Sequence, residues 1–116
     1  MIVGIGTDIC QVSRIEDLMQ KNCEKFVKRV LTITEQEQKQ KITAQFIAKR
    51  YSAKEACAKA LGCGIGEKLS FQDIEVSNLA SGQPTIAVKK YPKTRFHLSI
   101  SDEKEYAIAM VVAEKD

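Results

Sequence analysis

TAQFIAKRYSAKEACAKALG, residues 43–62, is the longest segment of the chain with one consistent helical character. Ala, Lys, Glu and Gln dominate it, all strong helix formers, and Gly62 is the residue type that most often ends a helix. On a helix from about Thr43 to Leu61, Phe46, Ala53, Cys57 and Ala60 fall along one stripe. Ala48, Ser52, Glu55 and Lys59 share another at three- and four-residue spacing. Glu55 therefore sits on a face of small residues, where something other than a side chain can pack.

Working outward, the pattern changes on both sides. Downstream, Gly62 to Gly66 reads as a loop, and from Leu69 the chain reads as strands: Ser70 to Ser77, Thr85 to Lys89, Arg95 to Ser101 and Tyr106 to Ala113. A turn at Ser81-Gly82-Gln83-Pro84 separates the first two. Upstream, Ile2 to Ile9 is apolar and β-branched. Alternation along it puts Gly4, Gly6 and Asp8 on one face, so a carboxylate stands above two positions with no side chain. Ser13 to Leu31 predicts two short amphipathic helices interrupted near Asn22, the first capped by Ser13 and Glu16. Arg14, Lys21, Lys25, Lys28 and Arg29 give these helices a basic side. Thr34 with Glu37 predicts a capping box and a further polar helix. Helices first and strands later point to an α+β class with an antiparallel sheet, and 116 residues suit a single domain spanning 1–116.

Composition narrows the function classes. Apolar residues at 44% and charged residues at 28% describe a folding, globular chain. No apolar run approaches the roughly 20 residues of a membrane span, and the first ten residues carry Asp8 without a basic lead-in, so they read as a core strand rather than an export signal. Cys10, Cys23, Cys57 and Cys63 form no C-x-x-C pair and lie far from His97, the only histidine, which speaks against zinc. Free, mostly buried thiols and a cytoplasmic location follow. The net charge of +3 is modest and dispersed, and the few aromatics are not interleaved with basic residues. A nucleic-acid surface is not indicated; an acidic partner or a phosphorylated substrate is.

The candidate chemistry rests on carboxylates. Taken singly, Asp8 also suits a strand-end cap and Glu55 a solvated ion pair with Lys59. Together they suit magnesium, which is often held by one or two carboxylates while substrate phosphates complete its octahedron. Lys54 and Lys59 then supply positive charge for those phosphates. His97, Ser99 and Ser101 alternate with Phe96, Leu98 and Ile100, but no G-x-S-x-G elbow supports a serine hydrolase. Gly62, Gly64 and Gly66 follow a helix instead of leading into one, so they do not form a dinucleotide loop.

Three segments carry a resemblance: Gly4-Ile5-Gly6-Thr7-Asp8-Ile9 with Arg14-Ile15, Arg50-Tyr51-Ser52-Ala53-Lys54-Glu55-Ala56 with Lys59, Ala60 and Gly62, and His97-Leu98-Ser99-Ile100-Ser101 with Tyr106-Ala107-Ile108-Ala109. Phe71 to Val76 and Gly82-Gln83-Pro84 match in type and order. In these the chain resembles the short holo-acyl-carrier-protein synthases of the phosphopantetheinyl transferase superfamily, over nearly its whole length. The resemblance implies that superfamily's α+β fold, an antiparallel sheet with a long central helix. It implies transfer of the phosphopantetheine arm of coenzyme A to a serine of acyl carrier protein, releasing 3′,5′-ADP, in fatty acid biosynthesis.

Carried over by position, the resemblance makes Asp8 and Glu55 ligands of Mg²⁺ and sets Lys59 against the phosphates, with Glu55, directly or through water, as the base. Arg50, Lys54, Gly82, Pro84, His97 and Ser99 become coenzyme-binding positions. Arg14, Lys21 and Lys25 become the surface for the carrier protein's acidic helix. A homotrimer is implied, with Gly82, Pro84, His97 and Ser99 reaching the coenzyme from a neighbouring chain. One position departs: the family usually has histidine directly after the Ser-x-Ser strand, and this chain has Asp102; an acid near the coenzyme's 3′-phosphate would repel it, so either Asp102 points away or this pocket differs in detail. A carrier- or nucleotide-binding module with a degraded site is the rival reading, and intact Asp8, Glu55 and Lys59 oppose it.

Overall fold

A computed structural model describes residues 1–39 and 41–116. The elements in order are β1 (Ile2–Gln11), α1 (Val12–Val30), α2 (Ile33–Glu37), α3 (Ala44–Ala60), a 3₁₀ turn (Phe71–Asp73), β2 (Ile74–Asn78), β3 (Pro84–Val88), β4 (Arg95–Asp102) and β5 (Tyr106–Glu114). They form a three-stranded antiparallel sheet of order β1-β5-β4 and a separate β2-β3 hairpin. Helix α3 packs against β1 and β5. The expected α+β class with an antiparallel sheet and a long central helix is what the chain adopts.

The helical expectations hold in outline and fail in two caps. Thr43 accepts a hydrogen bond from Phe46 N and starts α3, and Gly62 follows it with φ +76°, a conformation that favours glycine. Asn22, at φ −161° and ψ 86°, breaks α1 where two helices were expected, and its side chain accepts from Lys25 N to begin the second. The first cap differs: α1 begins at Val12 after Gln11, with no side-chain cap from Ser13. The capping box lies two residues earlier than expected, on Thr32 and Glu35. Thr32-x-x-Glu35 and Thr34-x-x-Glu37 have the same spacing, and a tertiary partner selects between them. Residues 71–73 likewise form a 3₁₀ turn rather than the start of β2.

That tertiary partner is Lys54. Its ammonium, fully buried, donates to Glu35 Oε1 at 2.7 Å, Val30 O at 2.6 Å and Phe71 O at 3.1 Å. Glu35, equally buried, accepts in turn from Thr32 N at 2.8 Å and Val76 N at 2.6 Å. Every ammonium proton has a partner, as a buried charge requires. One ion pair thus joins α3 to the end of α1, to α2, to the 3₁₀ turn and to β2.

The sheet's two faces differ sharply. Strand register aligns Gly6 with Val111 and Leu98, and Asp8 with Ala109 and Ile100, on the face toward α3. The glycines let β1 approach the helix backbone closely. A Cβ on Gly6 would lie 2.6 Å from Ala60 N and would overlap Ala56 O, and one on Gly4 would overlap Ala60 O. The opposite face aligns Ile5, Val112 and His97; Thr7, Met110 and Ser99; Ile9, Ile108 and Ser101. Ile5, Ile9, Ile108 and Met110 on that face are exposed, an unusual concentration of large apolar side chains.

Candidate active site

β1 and α3 together place the carboxylates. Because Gly4 and Gly6 bring the strand against the helix, Asp8 projects toward α3, where Glu55 and Lys59 lie one turn apart. Lys59 Nζ pairs with Asp8 Oδ1 at 3.3 Å. It forms that ion pair with Asp8 and not with Glu55, so the ordinary helical Glu55–Lys59 bridge is not what holds these residues. Burial pushes the carboxyls of Asp8 and Glu55 above their usual range. The negative charge of Asp8 raises Glu55 further, while Lys59 opposes the rise at both. Two desolvated carboxylates, one raised further by the charge of the other, form a site whose free energy falls when a cation neutralises them.

The donor set can be tested against magnesium. Among the described residues no group of three or more His, Cys, Asp or Glu side chains is arranged to hold a metal. A closed protein cage for zinc or calcium is therefore not built here. Two partly buried oxygen donors fit a hard cation that takes its remaining ligands from water and substrate. Thiol chemistry does not compete: burial pushes Cys10 up to about 11 and Cys57 up to about 12, so both stay protonated. All four cysteines are free, but only Cys10 and Cys57 are buried; Cys23 and Cys63 are exposed, contrary to the expectation of mostly buried thiols.

A second set of groups lies elsewhere. A cavity of about 350 Å³ is lined by Lys39, Phe46, Lys49, Arg50, Asn78, Gly82, Pro84, Ile100 and Asp102. Arg50 stacks on the Phe46 ring at 4.0 Å and donates through Nη2 to Gln38 and Asn78. It is only 5% exposed, and its Nε is buried without a hydrogen-bond partner. A nearly buried guanidinium with a free donor, beside two lysines, is a ready anion receptor. Gly82, at φ +93°, makes the tight turn between β2 and β3 that closes the wall.

The expected site residues therefore separate into groups. Asp8, Glu55 and Lys59 come together, and so do Arg50, Gly82 and Pro84. Five residues on a helix turn it through about 140° between Arg50 and Glu55, and Asp8 and Ile100 are separated by β5, so the two groups flank α3 on different sides. His97 and Ser99 join neither, lying on the exposed sheet face away from Asp8. His97 instead meets Glu114 at 3.0 Å. Lys54 is a correction: with its ammonium enclosed by Glu35 and two carbonyls, it does not reach a phosphate. Lys39, Lys49 and Asn78 were missed as cavity residues, because only the fold brings them to Arg50.

On α1, Arg14, Lys21, Lys25 and Lys28 are exposed, and Lys28 is partly neutralised by Glu24 at 2.8 Å. Leu18 is also exposed, between Arg14 and Lys21. Arg14 acts electrostatically on Asp8, so the basic face begins at the carboxylate site.

The fold and the sequence agree with those of known proteins. The sequence profile of the 4′-phosphopantetheinyl transferase superfamily matches residues 4–111. The chain belongs to that superfamily. Among curated members it is similar to the holo-[acyl-carrier-protein] synthase of Marinomonas sp. (strain MWYL1), 44% identical over 98% of both chains. It is 48% identical to that of Geobacillus kaustophilus (strain HTA426), over 99% of this chain and 91% of the relative. Among solved structures, the holo-(acyl-carrier-protein) synthase of Bacillus anthracis in complex with CoA (3′,5′-ADP) superposes with a TM-score of 0.90 at 42% identity, covering 100% and 99% of the two chains. That of Helicobacter pylori in complex with coenzyme A gives 0.86 at 37% identity, covering 95% and 99%. The resemblance carried by the K-E-A helix and the Gly-x-Asp-Ile strand is thus a phosphopantetheinyl transferase relationship along the whole chain.

Proposed function

We propose that this chain transfers the 4′-phosphopantetheine group of coenzyme A to a serine of an apo acyl carrier protein, with release of 3′,5′-ADP, in the cytoplasm and for fatty acid biosynthesis. The juxtaposition of Asp8, Glu55 and Lys59 carries the reading. Asp8 and Glu55 are the residues that would hold Mg²⁺, whose charge, when bound, neutralises the pyrophosphate and the oxygen that leaves with 3′,5′-ADP. Lys59, already drawn to Asp8, adds an ammonium toward the same phosphates. Glu55, a carboxylate that burial holds above its usual range beside the phosphate site, is placed to take the proton of the carrier serine as its oxygen attacks phosphorus. Arg14, Leu18, Lys21 and Lys25 offer a basic face with one apolar contact to an acidic helix. No helix among the described residues is long and apolar enough to cross a membrane. Nucleotide analysis tests the reaction: 3′,5′-ADP should appear in step with loss of coenzyme A only when apo carrier protein is present, and its formation without carrier protein would contradict the reading.

The active form is, in the same reading, a homotrimer whose sites lie between subunits. Two observations support it. The exposed Ile5, Ile9, Ile108 and Met110 form an apolar sheet face, and the carboxylate group and the Arg50 cavity flank different sides of α3, an arrangement that lets adjacent chains bring one of each to the same coenzyme. Mixing inactive variants checks this. Asp8→Ala and Arg50→Ala proteins, each deficient alone, should regain about a quarter of the wild-type activity when co-assembled, because about one interface in four then unites two intact halves. Mixtures no more active than their components would show that each chain carries a complete site.

A further inference from the structure

The Arg50 cavity combines three cations with one acid, and the acid is not neutralised by them. Lys39, Lys49 and Arg50 line it together with Asp102. Asp102 forms no ion pair among the described residues. Its Oδ2 accepts from Gln45 Nε2 at 3.2 Å, and the same nitrogen donates to Glu103 O at 2.9 Å. A neutral amide anchored at the start of α3 thus fixes the carboxylate in place without cancelling its charge.

We propose that Asp102 is a specificity-determining residue that weakens the cavity's hold on a phosphate at the nucleotide end of the coenzyme. The inference rests on the transferase reading, which brings coenzyme A to this cavity. A phosphate monoester entering the cavity carries close to two negative charges, so it meets attraction from Lys39, Lys49 and Arg50 and repulsion from Asp102. A nucleotide without that phosphate feels little of either. Asp102 therefore narrows the difference in affinity between the two, which is specificity set by a repulsive element rather than by an added contact. It also loosens the grip on 3′,5′-ADP, the product that must leave before the next cycle. Asp102 is exposed, so water and salt moderate its repulsion to a several-fold effect in affinity.

Calorimetric titration of the assembled wild-type protein and of Asp102→Asn with 3′,5′-ADP and with 5′-AMP, in Mg²⁺ and low salt, tests this directly. Asp102→Asn should tighten 3′,5′-ADP by about fivefold and leave 5′-AMP within about twofold. Lys49→Gln should move the ratio of the two affinities in the opposite direction. An unchanged or reversed ratio in Asp102→Asn, in protein that still transfers phosphopantetheine, would overturn the role of Asp102 alone. Failure of the wild type both to bind either nucleotide and to transfer phosphopantetheine would overturn the transferase reading, and this inference with it.

Discussion

Asp8→Asn and Glu55→Gln should each lower the rate of phosphopantetheine transfer by about 10²–10³-fold, because each removes a carboxylate that would hold the Mg²⁺ whose charge neutralises the phosphates, and neither should unfold the protein. The second half of this expectation follows from the pKa directions. Both carboxyls are held above their ordinary range, so their ionised forms are less favourable in the folded chain than in the unfolded one. At neutral pH these charges therefore reduce stability, and the reduction lessens as pH falls toward the raised pKa values. Replacing either acid by its neutral isostere should leave the melting temperature unchanged or raise it, as substitutions at strained functional sites often do. Mg²⁺ should raise the melting temperature of the wild type, by the linkage of binding to folding, and should do so much less in either variant. Loss of melting temperature in step with activity would assign Asp8 and Glu55 to the fold instead of the chemistry.

Lys54→Met should destabilise the fold by about 3–5 kcal/mol, measured by denaturant unfolding. The substitution strands the Glu35 carboxylate in the interior and leaves Val30 O and Phe71 O without their donor. The pair need not be a large net source of stability, since two charges lose much of their hydration on entering the core. Breaking it on one side is what carries the penalty. Adding Glu35→Gln should therefore recover part of the loss, because an amide still accepts from Thr32 N or Val76 N and removes the stranded charge. A double variant less stable than Lys54→Met would contradict this account of the pair. Lys54 and Glu55 are adjacent, yet one anchors α3 within the core and the other faces Asp8, so the pair also fixes which way Glu55 points.

Composition and end signals made α3 legible: its Ala-rich run, Thr43 and Gly62 act locally. Gly4 and Gly6 on the face of Asp8 were legible as a bare stretch of strand, whereas the approach of the α3 backbone that fills it is a contact only the fold shows. The interior of the site was less legible where a long-range partner decided the outcome. Lys54 beside Glu55 has the appearance of a solvated helix surface, and only Glu35, brought back by the turn between α1 and α3, makes it a core residue. The same contact moved the capping box from Thr34 to Thr32. His97 and Ser99 showed their alternation correctly, but alternation does not say which sheet face meets α3, and they lie on the face away from Asp8. Asp102 stood out as a departure in sequence; its fixed place in the wall of the Arg50 cavity needed Gln45, 57 residues upstream.

The central claim is the reaction itself, and the mass of an apo acyl carrier protein incubated with this protein, coenzyme A and Mg²⁺ tests it most directly. A gain of one phosphopantetheine on the carrier serine, abolished by EDTA and by replacing that serine with alanine, is the predicted result. An unchanged carrier mass with folded, assembled protein, across several carrier proteins, would contradict the claim and favour a nucleotide- or carrier-binding module without activity.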